Sequence, residues 1–215
     1  TTRFIDPDKL YRKKLILLKD PNMYINASQH ERARLFLSSL TEYFLDKNIT
    51  EFEAEPKKDF EDPINWVPLA ARKDFGDYNK RRREVIRMGR KRFENLCNLW
   101  KSSTWISEIK EKDLRVEFAD GREYVFGKTK IRFTRPMFHG IEYDRLGWVI
   151  GFVVEYGDNK LLFTSDVQGP FIEDYAEWII RESPNVAIID GPPTYQLGYM
   201  LTRTNLKRAI DNMIR

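Results

Sequence analysis

The order of patterns along this 215-residue chain predicts an α+β fold. Strand-like alternation dominates from 114 to 164, and a helical stretch (172–182), an apolar strand (185–190) and a final helix follow it. Earlier, helical periodicity is confined to two stretches, 28–46 and 79–101. Strands gathered in one region, then a helix, a strand and a helix, describe a layered sheet with helices outside it.

Each element has a local reason. Residues 14–19 (KLILLK) read as a short strand that Asp20-Pro21-Asn22 ends with turn chemistry. Ser28 and Glu31 have capping-box spacing and open a helix whose Ala33, Phe36, Leu37, Leu40, Tyr43 and Phe44 recur on one face, with Asn48 closing it. Residues 49–54 alternate as a strand would. From 55 to 77 the chain holds Pro56, Pro63, Pro68 and Gly76 and reads as an irregular loop. The helix over 79–101 carries Val85, Met88, Phe93, Leu96 and Trp100 on one stripe and basic residues on its other faces. Residues 114–118 and 123–126, joined by Asp120-Gly121, read as a hairpin, 128–134 as a further strand, and 147–156 with 160–164 as a second hairpin turning at Gly157-Asp158. Pro184 ends the helix over 172–182, and Thr204 caps the last one. Residues 50–112 thus form a helical excursion from the main domain.

Composition narrows the class. Lys and Arg number 37 against 33 Asp and Glu, so most charge is a solvated surface of mixed sign. The single cysteine, Cys97, excludes an internal disulfide and fits a reducing, cytoplasmic setting. The longest apolar run, 146–156, is about half of what a membrane-spanning helix needs. There is no P-loop, dinucleotide glycine fingerprint, paired-cysteine motif or nucleophile elbow. The chain opens Thr1-Thr2-Arg3 without an initiator methionine, which leads us to expect residues upstream.

Three strand ends carry groups with chemical potential. His139 lies in a Pro-x-x-His-Gly turn, where it is either a metal ligand or a loop histidine hydrogen-bonded to a neighbour. Asp166 follows the strand that ends at Thr164, either as a ligand or as a turn former. Asp190-Gly191-Pro192-Pro193-Thr194-Tyr195 is a compact loop after an apolar strand. There Tyr195 either donates to a developing oxyanion or packs on the sheet edge, and Thr194 projects beside it. Arg145 serves a substrate anion or pairs with Asp144. An imidazole and a carboxylate at strand ends suit a divalent metal, yet two histidines in the whole chain leave such a site short of ligands. Lys80-Arg81-Arg82-Arg83 with Arg87, Arg90, Lys91 and Arg92 makes 79–92 a candidate phosphate-backbone contact or a solvated face.

Lys19-Asp20-Pro21, Ile25-Asn26-Ala27-Ser28-Gln29, His139-Gly140, Arg145-Leu146-Gly147, Ser165-Asp166-x-Gln168-Gly169 and the loop from Asp190 to Tyr195, in that order, resemble an uncharacterised archaeal family of metallo-β-lactamase-fold proteins. The likeness covers most of 13–54 and 114–215. It implies an αββα sandwich, incomplete at its N-terminus, formed by 1–54 and 113–215, with 55–112 a charged, mostly helical insertion. It implies that His139 and Asp166 are metal ligands, the aspartate terminal or bridging, for one or two zinc ions. The superfamily's His-x-His-x-Asp-His motif is absent, so further ligands are expected from a preceding segment or a second chain that completes the sandwich. The superfamily's last histidine is also absent, and 191–195 stand in its place. The implied activity is metal-dependent hydrolysis of an ester, thioester or phosphodiester, with Tyr195, Thr194 and Arg145 orienting the substrate or stabilising negative charge. The alternative is a non-catalytic nucleic-acid-binding module that uses the basic helix 79–92.

Overall fold

A computed structural model describes residues 7–215, so the expected sandwich segment 1–54 begins outside the described residues. In chain order the elements are β1 (Lys14–Leu17), α1 (Ala27–Leu45), β2 (Glu53–Ala54), α2 (Pro68–Arg72) and α3 (Asn79–Ser102). Next come β3 (Trp105–Ile106), β4 (Ile109–Lys110), β5 (Arg115–Phe118), β6 (Glu123–Phe126), β7 (Thr129–Phe133), β8 (Met137–Phe138) and β9 (Trp148–Val149). The chain ends with β10 (Phe152–Tyr156), β11 (Asn159–Phe163), α4 (Glu173–Glu182), β12 (Val186–Ile188) and α5 (Arg203–Met213). The class is α+β, with strands in several separate sheets.

Two compact units divide the chain. One holds residues up to 60 together with 94–120, and the other holds 61–93 and 121–215. The stretch 55–112 is therefore shared: its residues 61–93 group with the second unit and the rest with the first.

In the first unit, β5 lies between β1 and β4, parallel to β1 with Leu15 opposite Val116. Alternation along β5 turns Val116 and Phe118 into a core that also holds Leu37 and Leu40 of α1 with Ile106 and Ile109. The Asn22 side chain acts as a strand partner, accepting from Ile106 N at 2.8 Å and donating to Ile106 O at 2.9 Å. Trp100 is almost fully buried, and its indole N–H donates to Ile25 O at 3.0 Å.

The second unit is built on a five-stranded sheet in the order β12-β11-β10-β7-β6. The β10–β11 hairpin forms, antiparallel with Phe152 opposite Phe163, but the single strand expected over 147–156 is broken, and Trp148–Val149 pairs with β8 in a separate sheet. β12 joins β11 in parallel and forms one edge. Beside this sheet, Arg208 of α5 bridges Glu142 and Glu173 through four hydrogen bonds of 2.6–3.1 Å, all buried. Arg82 of α3 adds a contact of 2.7 Å to Glu142. Burial by itself would raise the Glu142 carboxyl. The two guanidiniums outweigh it and hold Glu142 below the usual range.

Several local expectations need correcting. Asn26, not Ser28, caps α1: its side chain accepts from Gln29 N, and Gln29 returns the bond to the Asn26 amide. The same box spacing fits both starts, and the structure uses the earlier one. Asp46 in the left-handed region ends α1, and Asn48 instead caps a 3-10 turn, Ile49–Phe52, that replaces most of the expected strand. Thr202, not Thr204, caps α5. The expected hairpin over 114–126 does not form. β5 pairs with β1 and β4, whereas β6 pairs with β7, because β5 buries its apolar face in the first unit's core.

Candidate functional site

Neighbouring parallel strands place their carboxyl ends on one sheet edge, and β11 and β12 are such a pair. The turn after β11 and the loop after β12 are joined there by a continuous set of hydrogen bonds. Thr164 N donates to Ile188 O at 3.1 Å, and Asp190 N donates to Thr164 Oγ1 at 3.1 Å. Asp190 then receives both amides of the opposite turn: Gln168 N on its carboxylate and Gly169 N on its carbonyl, each at 2.8 Å. Ser165, Gln168 and Gly169 all have positive φ, which folds the turn tightly enough to present these amides. Gly169 is required there, since a Cβ would stand 2.9 Å from Pro192 Cδ.

The third segment arrives from β8. Tyr175 of α4 accepts the Phe138 amide at 2.6 Å and fixes the strand end. His139 follows, half-buried, with its amide donating to Gly147 O at 2.9 Å. Gly140 has φ +97°, and a Cβ on it would stand 2.8 Å from the Gln168 side-chain carbonyl oxygen. The Pro-x-x-His-Gly turn thus packs directly on the Ser165–Gly169 turn, and that turn is held by the Asp190 loop.

All five residues singled out from sequence lie in or next to these three segments. Asp166 is exposed at the tip of its turn. Thr194 and Tyr195 fall in a 3-10 turn, Thr194–Gln196, and Tyr195 is 86% exposed, so it does not pack on the sheet edge. Arg145 is exposed, and Asp144 directs its carboxylate to the Leu146 amide at 2.9 Å. Gln168 and Asp190, which join the segments, carry the geometry, and sequence reasoning gave Gln168 no role. Its one sequence signal was its place before Gly169 in a turn.

The expected zinc needs more donors than these residues provide. Among the described residues, no group of three His, Cys, Asp or Glu side chains is arranged to hold a metal ion. Asp190 accepts the Gln168 amide on Oδ2, and His30 points Nδ1 at Pro21 O, 2.9 Å away. His139 and Asp166 do not form a metal centre by themselves.

The first unit holds a separate titratable group. The Asp20 amide donates to the Asp120 carboxylate, where the chain leaves the parallel strands β1 and β5. Burial and the nearby Asp20 charge push Asp120 up to about 7. Burial also lowers Lys19 to about 8, against the pull of Asp120.

With this geometry in place, the comparisons show similarity to archaeal proteins named UPF0282, a name that states no activity. The chain is 40% identical to a UPF0282 protein of Methanopyrus kandleri over 108 residues, 50% of this chain and 37% of that protein. It is 40% identical to one of Korarchaeum cryptofilum over 123 residues, 57% of this chain and 41% of the relative. A Methanocaldococcus jannaschii relative is 36% identical over 121 residues, 56% of this chain and 41% of its own. In each case the match covers less than half of the relative's length. No family model matches, and no solved structure matches. Among the described residues, no helix is long and apolar enough to cross a membrane.

Proposed function

We propose that this chain contributes part of the active site of a metal-dependent hydrolase of the metallo-β-lactamase type. The observation that supports the reading is the packing of Gly140 on Gln168 and of Gly169 on Pro192. It draws together the three segments that bear His139, Asp166 and the Thr194–Tyr195 pair. In this reading, His139 and Asp166 are two donors of a centre whose other donors come from a further segment or a second chain. Tyr195, Thr194 and Arg145, all exposed, are the groups available to orient an ester, thioester or phosphodiester. The test is zinc content of the complete polypeptide, including any flanking segment, for wild type and Asp166→Ala. The expected result is zinc in the wild type and its loss from a variant with unchanged circular dichroism. A zinc-free wild type, or a variant that keeps its zinc, rejects the reading.

A second reading, non-catalytic nucleic-acid binding, is favoured by α3. Lys80, Arg83, Arg87 and Lys91 recur at helical spacing along one exposed stripe, about 16 Å long at 1.5 Å per residue. Their neighbours Arg81 and Arg90 are instead paired with Glu84 and Asp62. Steeply salt-dependent binding of single- or double-stranded oligonucleotides by a zinc-free protein is the result that would select this reading.

A further inference from the structure

A groove of about 580 Å³ opens in the second unit between α4 and residues 63–69, with Thr134 and Met137 in its lining. Pro136 and Met137 of the Pro-x-x-His-Gly turn line it, but none of His139, Arg145, Asp166, Thr194 and Tyr195 does, so its occupancy is tested apart from the hydrolase reading. Its size is that of a small-molecule site.

Two indoles, Trp66 and Trp178, give the groove aromatic walls. Its acids are already engaged. Asp174 accepts the Leu69 and Ala70 amides at 3.1 and 2.9 Å. Glu182 is held by Arg132 at 2.9 and 2.6 Å and by Lys160. Glu177 pairs with Arg215 at 2.7 Å. Arg132 is used by Glu182 and Glu155. Two cations remain at the lining. Arg181 is exposed and forms no ion pair among the described residues. Arg135 reaches only a loose 3.8 Å contact with the exposed Glu61, and its guanidinium lies over the Trp66 ring, 5.8 Å from the centroid. The lining carries three arginines and three carboxylates, and the two least engaged cations, Arg135 and Arg181, share it with flat apolar rings.

From this complementarity we infer that the groove binds a small ligand with a planar aromatic ring and an anionic group. The ring stacks on the indoles, and the anion is taken by Arg135 and Arg181. Such a ligand needs both halves, because neither two exposed arginines nor an open apolar wall holds a small molecule tightly by itself.

The experiment is isothermal titration, with tryptophan fluorescence as a second readout, using adenosine 5′-monophosphate and naphthalene-2-sulfonate as probes. Adenosine and inorganic phosphate are titrated separately. We expect saturable binding of at least one aromatic anion, with adenosine and phosphate each binding at least tenfold more weakly than the monophosphate if the monophosphate is the one bound. The Arg135→Gln/Arg181→Gln double variant, altered only at exposed side chains, should fold normally and bind at least tenfold more weakly. Absence of saturable binding by both probes, unchanged affinity in the double variant, or phosphate binding as tightly as the monophosphate overturns the inference. Zinc content enters none of these readouts, so their failure is distinct from failure of the hydrolase reading.

Discussion

Asp120 shows how one side chain can set the pH response of a unit. Its carboxyl ordinarily titrates near 3.8 but is pushed up to about 7 in the folded chain by burial and by the Asp20 charge. Between those values the folded chain holds a proton that the unfolded chain has released. The contribution of this group to stability is full at the acid end of that window and is lost as pH rises through 7. Asp120→Asn stays neutral throughout and still offers an oxygen to the Asp20 amide. Its urea midpoint should therefore fall less between pH 4 and 8 than that of the wild type, and it should be the more stable protein at pH 8. Parallel midpoint curves for the two proteins would show that Asp120 does not titrate in this window. Asp20-Pro21-Asn22 was legible as a turn, but its electrostatics was not, because Asp120 lies a hundred residues away in sequence. Gln168 was missed for the same reason: the group it touches, Gly140, comes from a distant turn.

At the scale of elements, α3 contains a glycine that helix propensity alone would replace. Gly89 is buried at mid-helix, and a Cβ there would stand 2.4 Å from Tyr143 Cβ. Tyr143 has little room to yield. Its hydroxyl bonds Asp62, Arg92 donates to its carbonyl at 3.0 Å, and its ring packs against Phe93 and Phe138. Alanine would gain about 1 kcal/mol in helix propensity and meet an overpacking cost of about 1–3 kcal/mol. Gly89→Ala should therefore destabilise the protein by about 1 kcal/mol in urea denaturation, whereas a stabilised variant would mean that Tyr143 moves aside freely. The elements themselves were largely readable. The apolar stripe of α3 and the alternation of β7 and β11 are local periodicities, and each forms within a residue or two of its expected bounds, whereas the expected strand 147–156 is split into β9 and β10. Pairing was not readable, since alternation says that 115–118 is a strand but not that β1, a hundred residues earlier, is its partner.

For the whole molecule, the edge of the second unit's sheet matters most. β12 pairs with β11 alone, and all three of its residues are exposed, Val186 at 52% and Ile188 at 50%. An apolar edge with open backbone groups is a template for another strand. The 215-residue chain should self-associate with rising concentration in sedimentation experiments, and Val186→Lys/Ile188→Lys should suppress it. A wild type that stays monomeric at high concentration contradicts this. The sequence by itself determined the α+β class, the main helices and strands, and the three strand-end segments, because each of these is written in local periodicity and turn chemistry. Only the tertiary structure decided which strands share a sheet and that Gln168 and Asp190 tie the segments together. It also decided that Glu142, Glu173, Arg82 and Arg208 neutralise one another in the interior. Those outcomes depend on contacts between residues far apart in the chain, and no local pattern encodes them.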